Sequence, residues 1–229
     1  MFPVVRYLNL SVEMKLLLVF MMLSQVPNTN AQVTKELMQL GYNKQIPPEI
    51  QKNVLLALSF YPELKNTRIN FVFKKNIKTS VMQAQPVPTT ILGKKKNRRY
   101  RINISQRFKL ISSEMPILDI PDTVMIGWIG HELGHILDYE GMSNMQMISF
   151  GYRYYFHPTF VKHAEMVADS LAVERGMGHY IVATKRFILD NAELPQAYKD
   201  KIRRLYLSPD VIMEQVKKLE EKKQLQKEP

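Results

Sequence analysis

Hydrophobic residues recur with two different periods along this chain, and the change of period separates an early sheet-forming part from a later helical part. Within residues 48–60 the apolar positions keep helical spacing after a Pro-Pro start, which predicts a helix. Arg68–Lys74 alternates with period two and is rich in β-branched and aromatic residues, as is typical of a strand. Residues 89–92 and Arg99–Ser105 are two further predicted strands, and the polar, lysine-rich turn at 93–97 would join them as a hairpin.

From residue 122 the apolar spacing is helical almost to the end of the chain, with breaks expected near Gly141, at 176–178 and near Pro195. Ser208 begins another predicted helix, because it is a good capping residue and is followed directly by a proline and an acid. Strands followed by helices predict an α+β fold, in which a mostly antiparallel sheet precedes a helical half.

The first 31 residues match the three parts of a secretory signal peptide. Lys15 supplies a positive charge, residues 16–23 form a short apolar core, and Ala31 is a small residue at the cleavage position. A helix that spans a bilayer needs about 20 apolar residues, which this run does not provide. We therefore expect cleavage after Ala31, export to the periplasm or beyond, and no lasting membrane anchor. Met14, directly before Lys15, is an alternative start.

Composition adds one exclusion and one general property. The 229 residues are 45% hydrophobic and 23% charged, an ordinary globular balance, so residues 32–229 are expected to form a single domain. The chain has no cysteine, which excludes disulfides, thiolate metal sites and a cysteine nucleophile. Its formal net charge of +11 favours anionic partners in general, but it indicates no specific binding of nucleic acid.

The strongest chemical signal is His131-Glu132-Leu133-Gly134-His135, which lies within the predicted helix that starts at residue 122. Residues four apart in a helix share a face, so both imidazoles can bind one metal ion at about 2.0–2.1 Å. Glu132 then lies beside the metal without binding it. A water on zinc has its pKa lowered to about 7, and a neighbouring carboxylate can take its proton during attack on a carbonyl. This pattern is typical of zinc-dependent peptidases.

A catalytic zinc usually has three protein ligands and a water, so a third ligand is expected from another segment. Glu165 and Asp169 share one face of a predicted downstream helix, beside alanines that let two helices approach closely. Glu165 can complete a set of two histidines and one glutamate, while Asp169 can accept the second ring N–H of a ligating histidine. His163 is the rival third ligand. A third histidine six residues after His135 is excluded, because Gly141 occupies that position.

HELGH at 131–135 and EMVAD at 165–169 together resemble the signature of the gluzincin branch of the zincin metallopeptidases. The resemblance covers about residues 123–176 and is specific for the metal and the reaction class. It implies zinc ligation by His131, His135 and Glu165, with Glu132 as catalytic base and Asp169 orienting a ligating histidine.

The resemblance to the gluzincin fold also implies a mixed sheet before the first helix, whose edge strand pairs with extended substrate. From its position in the chain, Arg99–Ser105 is expected to be that strand. No residue clearly matches the oxyanion-stabilising Tyr, His or Arg of the family. The candidates close in sequence are Tyr152, Arg153, Tyr154, Tyr155 and His157.

These residues are compatible with two main functions. The first is an exported zinc peptidase that hydrolyses a peptide or protein substrate with Glu132 as general base. The second is an inactive zincin-fold binding protein, in which a structural metal supports a basic surface for anionic partners. The presence of Glu132 favours the peptidase, because a purely structural metal site needs no base beside it. A membrane-surface factor is a third reading, which the lack of a long apolar segment after the signal disfavours.

Overall fold

The structure is a computed structural model that describes residues 35–75, 77 and 80–226. The chain divides into two compact units, Met1–Gln39 and Leu40–Pro229, and every element below belongs to the second. The predicted signal peptide lies outside the described residues. In the part of the chain that is described, no helix is both long enough and apolar enough to cross a bilayer.

The main sheet is mixed and mostly parallel, so the predicted mostly antiparallel sheet is wrong. It contains β1 (Lys44–Gln45), β2 (Arg68–Lys74), β3 (Met82–Pro86) and β4 (Arg99–Ser105), in the order β1-β2-β4-β3. β1 pairs with β2 and β2 with β4 in parallel, while β3 runs antiparallel to β4. The helix α1 (Gln51–Ser59) explains the first parallel pair, because a crossover through a helix returns the chain to the same end of the sheet.

The hairpin partner of β4 is β3, and not the predicted strand at 89–92. Pro88–Thr90 forms a short 3-10 turn instead, since Pro88 has a fixed φ and no N–H to donate to a ladder. β4 lies between β2 and β3, so the expectation that it is the edge strand is also wrong. Among the described residues, β3 is the edge strand on the β4 side of the sheet. The interior position suits β4, whose residues from Ile102 to its end are all buried.

The helical half follows the predicted breaks. Its helices are α2 (Asp122–Gly141), α3 (Asn144–Phe156), α4 (Pro158–Glu174), α5 (Gly178–Leu189), α6 (Gln196–Leu205) and α7 (Pro209–Leu225). Before them comes a small hairpin of β5 (Arg107–Lys109) and β6 (Glu114–Pro116). Ser208 caps α7 as predicted, because its hydroxyl accepts a hydrogen bond from the Val211 N–H at 3.3 Å. The α+β class is confirmed.

Helix α2 is the centre of the core and contacts α1, β3, α4 and α5. Its side chains at Ile129, Leu133 and Ile136 are completely buried. α2 and α4 cross at Gly134, where an added Cβ would lie only 2.7 Å from the carbonyl oxygen of Ala168. Only glycine permits so close an approach at this position. The crossing brings the face of α4 that carries Glu165 against the histidines of α2.

Candidate metal centre

Helix α2 presents His131, Glu132 and His135 in the interior of the molecule. All three are buried, with 7%, 7% and 5% of their surface exposed. The two imidazoles lie one helical turn apart, with ring centroids separated by 4.8 Å. Their spacing on the helix, predicted from sequence, therefore places both rings on the same side of α2.

Glu165 on α4 lies directly opposite these two rings. Its Oε2 atom is 3.0 Å from Nε2 of His131 and 3.4 Å from Nε2 of His135. One donor atom from each of the three residues lies within 4.8 Å of the other two. Donors around a tetrahedral zinc, with bonds of about 2.0–2.1 Å, stand about 3.4 Å from each other. The three side chains therefore have the chemistry and the spacing to hold a metal ion, as the sequence predicted for them.

His163, the rival ligand, does not belong to this group. It is exposed and borders a separate depression together with Asp138 and Phe160. Two helical steps rotate a side chain by about 200°, so His163 and Glu165 project from nearly opposite sides of α4. The structure therefore groups Glu165, and not His163, with the two histidines that could bind a metal ion.

Asp169 is completely buried and orients His131. Its Oδ1 atom is 2.8 Å from Nδ1 of His131, which leaves Nε2 of that ring facing Glu165. The same oxygen accepts a hydrogen bond from the ammonium of Lys185 on α5 at 3.0 Å, and Oδ2 accepts one from the Leu207 N–H at 3.1 Å. The ring of His135 lacks such support, since its Nδ1 has no hydrogen-bond partner among the described residues.

Lys185 is the main residue that the sequence did not reveal. Only 5% of its surface is exposed, and its ammonium lies 4.1 Å above the centre of the Tyr206 ring. A lysine in an amphipathic helix is usually solvated, so nothing local distinguishes it. Lys185 reaches the Asp169 carboxylate, 16 residues earlier in the chain, because α5 packs against α2 and α4.

The charges of this cluster shift one another's pKa values in the chain without metal. Burial raises the pKa of Glu165, but the two histidines outweigh it and hold that pKa well below its usual range. The pKa of Asp169 is lowered in the same way. Burial raises that pKa, but the charge of Lys185 and then the hydrogen bond from His131 outweigh the effect of burial. Burial lowers the pKa of His131, yet Asp169 and Glu165 together raise it to about 10. Metal binding must therefore displace a proton from His131.

Glu132 contacts the edge strand of the sheet. Its Oε2 atom accepts a hydrogen bond of 2.6 Å from the backbone N–H of Ala84 in β3. Burial raises the pKa of Glu132, while the charges of His131 and His135 oppose the shift. The carboxyl group is thus held in place next to the three donor side chains, with a proton affinity above that of an ordinary glutamate.

A cleft of about 400 Å³ opens onto this group between β3, α3 and the end of α6. Of the five residues proposed as oxyanion stabilisers, Tyr154 and Tyr155 line it. The Tyr154 hydroxyl donates a 2.5 Å hydrogen bond to Oε1 of Glu165. Burial, followed by the charge of Glu165, raises the pKa of Tyr154, so this hydroxyl stays protonated.

The other three candidates lie elsewhere. The Arg153 guanidinium stacks 3.9 Å from the centre of the Phe160 ring, and Tyr152 and His157 are exposed. Lys201 of α6 lines the cleft and was not singled out in the sequence. Burial lowers the pKa of Lys201, and the charge of Glu165 partly offsets this.

Known proteins provide no guide to this site. No protein-family model, curated protein or solved structure matched the chain.

Proposed function

We propose that the protein is an exported zinc-dependent peptidase of the gluzincin type. The observation that carries the proposal is the position of Glu132 beside the buried group of His131, His135 and Glu165, where Glu132, His135 and Glu165 line an open cleft. A structural metal site is closed and needs no base, whereas a catalytic site keeps an open position and a proton acceptor next to it. Two histidines and a carboxylate, with no thiolate available, form a donor set suited to zinc.

His131, His135 and Glu165 would hold the ion, which when bound supplies Lewis acidity that activates water and polarises a carbonyl. Glu132 takes the proton from the attacking water and passes it to the leaving amine. Its raised pKa favours this, because a general base works best when its pKa lies near the operating pH. The Tyr154 hydroxyl, which donates to Glu165 in the chain without metal, would turn its single O–H toward the oxygen on which negative charge develops.

The edge strand β3 would hold the substrate in an extended form. In the β3–β4 ladder, the Val81 carbonyl accepts from the Ser105 N–H and the Val87 N–H donates to the Arg99 carbonyl. The alternation of an antiparallel pair therefore leaves Ala84 facing the open edge. The Ala84 N–H is engaged by Glu132, so its carbonyl remains to accept from a substrate amide. A peptide lying along this edge passes directly over the proton acceptor.

The proposal is tested by metal content and cleavage of casein, an unstructured protein, with and without a chelator. Purified protein should contain about one zinc per chain, and chelation should abolish cleavage. Glu132→Gln keeps the shape and can still accept from Ala84, so zinc should remain while turnover falls by about 10²-fold or more. Glu220→Gln on the exposed side of α7 is the matched control and should cleave normally.

A chain that binds zinc and cleaves nothing would reject the peptidase and favour the inactive binding protein. Normal cleavage by Glu132→Gln would reject this base while leaving the metal site intact.

A further inference from the structure

Three arginines lie together on the outer face of the sheet, well apart in sequence from the residues of the metal centre. Arg68 of β2 and Arg99 of β4 are aligned partners on neighbouring parallel strands, and Arg101 lies two residues further along β4. All three are exposed, whereas Ile69 and Tyr100 between them face the core. Neighbouring strands are about 4.8 Å apart and residues i and i+2 about 6.7 Å, so the guanidinium groups share one small area.

These arginines border a groove of about 560 Å³ at the start of the parallel strands. Its other polar side chains include Asn43, Gln45 and Asn70, which are neutral. Lys44 fixes one wall, because its ammonium donates to the carbonyls of Leu64 and Thr67 at 3.0 and 2.8 Å. We call this the arginine groove.

None of the described residues that line the arginine groove is a carboxylate. Residues 64–113 contain neither Asp nor Glu. Within the described part of the chain, Arg68, Arg99 and Arg101 form no ion pair. Like charges directly opposite each other on neighbouring strands destabilise a sheet. The arrangement is therefore one that an external anion would stabilise.

We propose that the arginine groove binds a polyanion that carries phosphate or sulfate groups in series. Arginine forks recognise these tetrahedral oxyanions by paired hydrogen bonds, and three forks side by side require several negative charges. Recognition of bases is disfavoured, because Tyr100, the aromatic residue of the groove, is 1% exposed and offers no stacking surface. This site extends the protein's function beyond the cleft and does not depend on zinc or on turnover.

The test is calorimetric titration of the purified protein with sodium tripolyphosphate, with a heparin-derived tetrasaccharide and with inorganic phosphate. Arg68→Gln/Arg99→Gln/Arg101→Gln is compared with Lys217→Gln/Lys222→Gln/Lys223→Gln, which removes the same charge from exposed positions on α7. The arginine variant should bind at least about tenfold more weakly, and the lysine variant as the wild type does.

The two oligomeric probes distinguish the source of the anion. Tighter binding of tripolyphosphate indicates a phosphate-bearing ligand, and tighter binding of the tetrasaccharide indicates a sulfate-bearing one. The proposal is overturned if neither probe binds, or if both triple variants weaken binding equally, because a diffuse positive field would then explain it. Inorganic phosphate binding as tightly as tripolyphosphate would also overturn it.

A second measurement guards against misfolding of the variant. Because Arg99→Gln removes one of two like charges at aligned positions on neighbouring strands, its Tm at low salt should equal or exceed that of the wild type. Tripolyphosphate should raise the Tm of the wild type and leave that of the triple arginine variant unchanged. A lower Tm for Arg99→Gln would show that the arginines stabilise the fold and would count against the proposal.

Discussion

Replacing Lys185 with methionine tests whether the proposed metal centre depends on the helices behind it. Methionine has a similar length and can fill the same buried space beside Tyr206, but it removes the ammonium that lies 3.0 Å from Oδ1 of Asp169. Asp169, which is completely buried, would then carry a negative charge without its cationic partner. The perturbation is therefore electrostatic, with little change in packing.

The expected loss follows from the partners that Asp169 keeps. Breaking a buried ion pair by removing one member costs about 3–5 kcal/mol. Asp169 still accepts from His131 and from the Leu207 N–H, so we expect the lower end, about 3 kcal/mol. For a domain of this size that corresponds to a Tm lower by about 6–12 °C. Zinc affinity should fall by about tenfold, because a less firmly held Asp169 orients His131 less well.

Urea unfolding of the metal-free chain and equilibrium zinc competition measure the two effects. Lys185→Met is combined with Asp169→Asn in a double-mutant cycle, and Lys222→Met, on the exposed surface of α7, is the control. The double variant should lose less free energy of unfolding than the sum of the single losses, by more than about 1 kcal/mol. Additive losses, or a cost below about 1 kcal/mol for Lys185→Met, would refute the reasoning.

Three further predictions concern the centre itself. Glu165→Ala should weaken zinc binding severely and Asp169→Ala by about 10 to 100-fold, while His163→Ala leaves it nearly unchanged. Equilibrium zinc competition measures these losses, and a larger loss for His163→Ala than for Glu165→Ala would reject the ligand set. Tyr154→Phe should retain zinc but lower kcat by about 10²-fold or more, whereas parallel losses of zinc and turnover would show that Tyr154 only holds Glu165. The metal-free chain should be most stable between about pH 4.5 and 6.5, as urea unfolding across pH can check. Below that range the lowered pKa values of Glu165 and Asp169 cost stability as these groups protonate. Above it, stability declines as the pH rises toward the raised pKa of His131, about 10. Zinc affinity should increase over the same rise in pH, since binding releases that proton, and a flat zinc affinity would contradict this.

Local spacing explains what could be predicted from the sequence. The positions of His131 and His135 on one face of α2, and of Glu165 and Asp169 on one face of α4, follow from the covalent geometry of a helix. The start of α7 at Ser208 is equally local, since one side chain satisfies a backbone N–H three residues away. These features need no knowledge of the rest of the molecule.

The tertiary structure decided what depends on contacts between distant segments. The polar turn at 93–97 indicated that β4 is a strand, but its interior place and its parallel pairing with β2 depend on which neighbours bury its residues. The hydrogen bond from Ala84 to Glu132 joins residues 48 apart, and that from Lys185 to Asp169 joins residues 16 apart on different helices. No periodicity encodes such contacts, because they arise only when burial of apolar faces packs sheet and helices around α2.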